Sequence, residues 1–290
     1  MLSRRQFLQA AGIALAAAHL PRLASASPAL HFQPLYGRAL GTVPVYVAPQ
    51  NDPALVTSLW SDSVVPIQET DGVWYRLPEG YAQREFLQPM LSPAQNTPIN
   101  QAPPFWGEVT SAVAIVRAWC TAAAPIITRI GHGGVLYIAD SLALEGINWY
   151  GVAESENCEL LGWSQSAAWT RAESDSVSPN LTLLIDRQAQ QLTAFDDDQP
   201  VLTAPVSAAL SLVPGTYAVT DRNFTAAPTN YYHGIPWALT FGENQYLSGA
   251  FWHNHFGMEP NGASAGVASI EVAPALARWL YPRASSVIIS

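Results

Sequence analysis

The 290 residues are 49% hydrophobic and only 12% charged, which supplies apolar material for real cores, argues against extended disorder and, at this length, favours two or three modest domains. Thirteen basic against 22 acidic side chains leave a formal net charge of -9, so the attraction that draws proteins onto nucleic acid or anionic lipid is missing, and nucleic acid is excluded as the main partner. With 23 Pro, 10 Trp and 11 Tyr and few long polar helical runs, short strands and turns are expected, and the fold class is mainly β.

The chain opens Met1-Leu2-Ser3-Arg4-Arg5-Gln6-Phe7-Leu8-Gln9 and continues apolar from Ala10 to Ala18. An arginine pair followed by Phe-Leu and a short apolar run reads as a twin-arginine export signal over residues 1–26. The small-residue run Leu23-Ala24-Ser25-Ala26-Ser27 offers a signal-peptidase site after Ala26; an uncleaved N-terminal anchor is the alternative. No later segment reads as a transmembrane helix, so the mature chain is expected to be periplasmic, wall-associated or extracellular. Cys120 and Cys158 then sit in a compartment that permits disulfides; pairing and two separate buried thiols are equally compatible with the spacing. Neither has a metal-ligand partner at the required spacing, so no metal or other cofactor is expected.

From Gly37 to Met90 the runs Val43-Pro44-Val45-Tyr46, Val64-Val65-Pro66-Ile67 and Val73-Trp74-Tyr75-Arg76-Leu77 are separated by the turn signals Asn51-Asp52-Pro53 and Asp71-Gly72. About five strands at this density fit a small barrel over residues 33–90. The strand Gly72-Val73-Trp74-Tyr75-Arg76-Leu77 resembles one common in bacterial SH3-like barrels. A Pro/Asn/Gln-rich stretch from Ser92 to Pro104 reads as a linker. Residues 105–171 then carry Gly134 to Ala139 and Ile147-Asn148-Trp149-Tyr150-Gly151-Val152; the latter echoes the first Trp-Tyr strand and marks a diverged second SH3-like unit. The polar segment Glu173 to Pro179 ends it.

Within residues 178–290, Leu181 to Asp186 and Gln191 to Phe195 form a hairpin, Asp196-Asp197-Asp198 turns into Val201 to Ser207, and Val213-Pro214-Gly215-Thr216-Tyr217-Ala218-Val219 feeds a further strand. A single helical pattern, Val272 to Tyr281, offers Leu276, Trp279 and Leu280 as an apolar face. The acidic triplet is a solvated hairpin tip, since no ligand spacing supports calcium.

Several ordered pieces of this region resemble the catalytic domain of L,D-transpeptidases: Leu183-Leu184-Ile185-Asp186 with Gln191-Leu192, Pro214-Gly215-Thr216-Tyr217, Gly249-Ala250-Phe251-Trp252-His253-Asn254-His255-Phe256-Gly257, and Ala273 to Tyr281. The resemblance implies a β-sandwich domain with a short helix, preceded by the small barrels. It also implies peptidoglycan stem peptides as ligand and acyl transfer through a cysteine thiolate activated by histidine. Nucleophile and base are the minimum for such chemistry. The family's loop, Ser or Thr followed by His-Gly-Cys, a hydrophobic residue and Asn or Arg, aligns with Ser264-Ala265-Gly266-Val267-Ala268-Ser269, and its earlier His-Gly pair with Ser248-Gly249. Val267 has no nucleophilic atom and Ala265 accepts no proton, so the site reads as decayed, a pseudoenzyme site.

The rival expectation is a hydrolase or acyl transferase with Ser264 as nucleophile and His253 or His255 as base. The simpler one treats these histidines as hydrogen-bonding residues beside the cleft. Glu259 and His233 are further polar groups that nothing in the sequence brings to them. Tyr231, Tyr232, Trp237 and Trp252 are candidates for a groove, Tyr231, Tyr232, Trp252, His253, Asn254 and His255 being the cleft-lining set, although such aromatics more often belong to cores. The expected partner is peptidoglycan or its stem peptides, with active paralogues as the alternative for a purely structural protein.

Overall fold

The structure, a computed structural model, describes residues 35–50, 53–91, 101–227, 232–243, 245–260 and 270–290. The export signal, most of the Pro-rich linker, Tyr231 and the loop positions Ser264, Ala265, Gly266, Val267 and Ser269 lie outside the described residues. The fold is mainly β, as expected, with one α-helix among the described residues, Pro274–Leu280. No helix among them is long and apolar enough to cross a membrane.

Strand pairing falls into three stretches. Residues 35–91 form a three-stranded sheet (Val64–Pro66, Leu35–Ala39, Leu87–Leu91) and a five-stranded one (Leu55–Leu59, Val43–Tyr46, Gly80–Gln83, Trp74–Leu77, Glu69–Asp71). Alternation along Val43–Tyr46 sends Val43 and Val45 inward, where they meet Tyr75, Leu77 and Leu87. Asp71 pairs with Trp74, leaving Gly72 at φ 56° as the first residue of a two-residue hairpin turn, a position that favours glycine. The stretch holds eight strands rather than about five, because pieces such as Glu69–Asp71 are three residues long and exposed throughout, so no alternation announces them.

Residues 105–171 form a seven-stranded sheet in the order Ile126–Gly131, Val113–Arg117, Gly162–Gln165, Ile147–Ala153, Val135–Leu144, Phe105–Val109, Trp169–Arg171. Both aromatics of the second Trp-Tyr strand, Trp149 and Tyr150, are buried. Cys120 is buried, Cys158 exposed, and both are free thiols.

The remaining strands make a nine-stranded sheet in the order Gln199–Pro205, Gln191–Asp196, Leu181–Asp186, Ala284–Ile289, Gly215–Thr225, Pro236–Phe241, Gln245–Gly249, Ile270–Val272, Ser207–Ala208. Two pairs are parallel: Leu181–Asp186 with Ala284–Ile289, and Gln245–Gly249 with Ile270–Val272. The second pairing explains why the helix begins later than its apolar pattern. Val272 is committed to the strand, and Pro274, whose missing N–H costs nothing in the first turn, opens the helix. Ala277 and Leu280 are its buried side chains, while Leu276 and Trp279 pack on the core half-exposed.

Long-range side-chain bonds join the three stretches. Buried Arg38 donates to Gln88 Oε1 (2.9 Å), to Asp62 Oδ1 (2.9 Å) and to the Phe251 carbonyl (2.7 Å), while Asp62 also takes Arg129 (2.7 Å). Arg278 of the helix reaches Glu108 (2.8 Å), and His233 reaches Glu154 (2.5 Å). Phe251, from just beyond Gln245–Gly249, is buried in the core of residues 105–171 with Ile130, Leu136 and Val152. Its approach depends on Gly131: a Cβ there would lie 2.5 Å from Arg38 Nη2 and 2.7 Å from Phe251 Cδ2. Gly131→Ala is therefore expected to lower stability by about 1–3 kcal/mol through overpacking. Urea unfolding measures it, and an unchanged midpoint would show that the junction yields without cost.

Candidate functional site

The site begins with a register. Glu271 is the cross-strand partner of Ser248 on one side and of Ser207 on the other, and directly opposed residues share a sheet face. Their neighbours Leu247, Ile270 and Ala208 point the other way, into the main apolar core. The reverse face of the same three strands thus carries a row of Ser248, Glu271 and Ser207, each fully buried at 0% exposure. Gly249 holds the strand end close to its neighbours: a Cβ there would lie 2.9 Å from Pro236 Cγ and 3.0 Å from Pro274 Cα.

His253 lies over this row. Its Nε2 is 2.7 Å from Glu271 Oε2, and its Nδ1 accepts the backbone N–H of His255 at 3.1 Å. An accepting Nδ1 carries no proton, so the ring proton sits on Nε2 and is donated to the carboxylate. Both nitrogens are thereby committed, and the imidazole is a clamp on Glu271. Burial pushes the Glu271 carboxyl above its ordinary range, opposed by the hydrogen bond from His253. Oε1 of Glu271 and Oγ of Ser248 have no hydrogen-bond partner among the described residues. Two orphaned polar atoms this deeply buried are unusual, since each forfeits its solvation.

Aromatic rings border the row. Tyr232 stacks on Trp252 at 4.2 Å between ring centroids, and both pack with Tyr246 around Ala226, Ile235 and Ala238. Burial, and secondarily the charge of Glu271, raises the pKa of Tyr232 and of Tyr246. All three are partly exposed.

The rest of the Trp-His-Asn-His segment faces the N-terminal stretch. Asn254, buried, donates through Nδ2 to the carbonyls of Arg84 and Leu87, both at 3.0 Å, and to Tyr75 Oη at 3.3 Å. His255 Nδ1 lies 3.1 Å from Glu85 Oε2, at ion-pair distance but without hydrogen-bond alignment. Such a half-exposed pair contributes about 0–1 kcal/mol.

Of the residues expected at the cleft, the fold brings together Ser248, Tyr232, Trp252 and His253. Asn254 and His255 point towards residues 75–87, Trp237 is fully buried in the main core at φ 59°, and Glu259 is exposed. His233 is spent on Glu154, and no group of three or more His, Cys, Asp or Glu side chains placed to hold a metal ion occurs among the described residues. Sequence reasoning missed Glu271 and Ser207. The signal for Glu271 was present: a carboxylate between Ile270 and Val272, inside an apolar strand, requires a partner.

No family model matches the chain, and no curated protein matches it. Solved structures do. The L,D-transpeptidase (residues 123–326) from Xylanimonas cellulosilytica is 17% identical, with 40% of this chain and 63% of that one covered and a TM-score of 0.32. An L,D-transpeptidase from Stackebrandtia nassauensis is 14% identical over 41% of this chain and 58% of its own, with a TM-score of 0.33. One from Mycobacterium smegmatis is 14% identical over 65% and 99%, with a TM-score of 0.34. These three neighbours of the chain are all L,D-transpeptidases, and the chain spans less than two thirds of the length of the first two.

Proposed function

We propose that this is an exported cell-envelope protein whose residues 178–290 hold peptidoglycan stem peptides without cutting or joining them. The observation that carries the reading is the committed imidazole: His253 has Nε2 on Glu271 and Nδ1 on the His255 N–H, which leaves no lone pair to draw a proton from a nucleophile. The sequence supports it from the other side, because the positions that align with the family's cysteine and histidines are Val267, Ala265 and Ser248. The two cysteines, Cys120 and Cys158, belong to the seven-stranded stretch. Binding is compatible with that loss, since valine is close to cysteine in volume and volume-conserving exchanges are tolerated in packed sites.

A carbapenem acylates the thiolate of a working site, so intact-mass measurement after incubation tests the absence of chemistry. The expected result is an unmodified chain; an adduct, on Ser264 above all, would establish the serine enzyme instead. Export is read separately. Arg4→Lys with Arg5→Lys is expected to strand the folded protein in the cytoplasm, and full export of that double variant would refute the twin-arginine assignment.

A further inference from the structure

We propose that the contact between residues 35–91 and the rest of the chain is an acid-releasable latch, which opens when His132 takes up a second ring proton. The latch is independent of the proposed function, since it needs no ligand.

Three geometric observations carry it. First, His132 stands where the latch closes. Its carbonyl accepts Gln88 Nε2 at 2.8 Å, and Gln88 Oε1 accepts Arg38 Nε at 2.9 Å, so one amide from the strand Leu87–Leu91 ties the buried guanidinium to the His132 backbone. The guanidinium also lies against Gly131, the residue before His132, where a Cβ would come within 2.5 Å of Nη2. Second, the ring is set for one proton. A carbonyl oxygen only accepts, so Nδ1, 3.1 Å from the Ser111 carbonyl, carries that proton, and a second one makes the ring a cation. Third, the neighbouring charge is already positive. Arg38 and Arg129 share a single carboxylate, Asp62, at 2.9 and 2.7 Å, while the further acceptors of Arg38, Gln88 and the Phe251 carbonyl, are neutral. An imidazolium here adds a cation to a cluster short of anions, in a contact drier than bulk water.

The backbone partners around the ring, Val109, Ser111, Ala112 and Gly133, bring no titratable side chain. Glu108, on the strand Phe105–Val109, is taken by Arg278 at 2.8 Å, and His255, at the same contact, faces Glu85. Burial lowers the His132 pKa from the ordinary 6.5, and Arg38 adds to the lowering against the pull of the Ser111 and Thr110 carbonyls. A group whose folded pKa is depressed binds fewer protons folded than free. Its contribution is therefore intact above 6.5 and is lost as the pH falls through the lowered value. Opening returns the ring to water, so acid favours the open latch.

The test is hydrogen exchange of the full chain at pH 8 and at pH 5, with rates corrected for the intrinsic pH dependence of exchange and the strand Leu181–Asp186 as internal reference. Protection of the Leu87–Leu91 amides relative to that reference is expected to fall severalfold at the lower pH, the signature of a local opening rather than of global unfolding. His132→Gln keeps a side-chain donor for the Ser111 carbonyl and does not ionise, so its relative protection is expected to be the same at both pH values. Arg129→Gln, at a half-exposed side chain, removes one cation from the cluster; it is expected to shrink the acid loss and keeps the test valid if the His132 variant does not fold. A relative protection in the unaltered chain that is equal at the two pH values would overturn the latch. So would an acid loss that persists undiminished in a folded His132→Gln or in Arg129→Gln.

Discussion

Phe251→Ala is expected to lower the folding free energy by about 3–5 kcal/mol, the usual cost of emptying a buried aromatic position. The ring is 3% exposed and sits in the core of residues 105–171 although it arrives from the nine-stranded sheet. Its backbone carbonyl is held by Arg38 of the N-terminal stretch, so one residue engages all three groups of strands. Loss of the ring also releases the segment that carries His253 and Asn254. Chemical denaturation measures the stability, and hydrogen exchange of the 251–256 amides measures the release. A cost near that of an exposed position, below about 0.5 kcal/mol, would contradict the junction described above.

His253→Ala is expected to cost about 3 kcal/mol at neutral to alkaline pH, the penalty for leaving a buried carboxylate without its hydrogen-bond donor, and distinctly less in acid. The sign follows from Glu271. Its folded pKa lies above its unfolded value because of burial, so the folded state binds more protons and stability falls as pH rises between the two values. Below the ordinary carboxylate range the group is protonated in both states and adds no penalty; above the raised folded value the penalty is complete. Removing His253 takes away the contacts that pull the carboxyl down, which lifts the folded value further and widens that window. Urea unfolding at pH 5 and at pH 8 should therefore show a larger loss at the higher pH, and Glu271→Gln should flatten the difference. A loss that is the same at both pH values would mean that His253 acts by packing alone.

Much of this was legible in the residues, and the gaps have physical causes. Leu181–Asp186 alternates buried and half-buried side chains, and Val43–Tyr46 does the same, so period-two patterning located both strands. The strand Leu55–Leu59 is exposed at four of its five positions and carried no such signal. The site was legible only in part. Ser248 and His253 were singled out by alignment to a motif, whereas Glu271 becomes visible only when parallel pairing sets it against Ser248 and folds His253 over it. The role of Asn254 was illegible for the same reason: its three partners, Tyr75, Arg84 and Leu87, are some 170 positions away in the chain.

The central claim is retention of a cell-wall ligand without turnover, and one measurement addresses it most directly. The protein freed of its export signal is incubated with purified sacculi and with donor and acceptor stem peptides; the pellet is assayed for bound protein, and the peptides are analysed by mass spectrometry. The account predicts that the protein sediments with the sacculi, is displaced by excess stem peptide, and leaves every peptide mass unchanged. A newly cross-linked or shortened peptide, or protein that stays wholly in the supernatant, would contradict it.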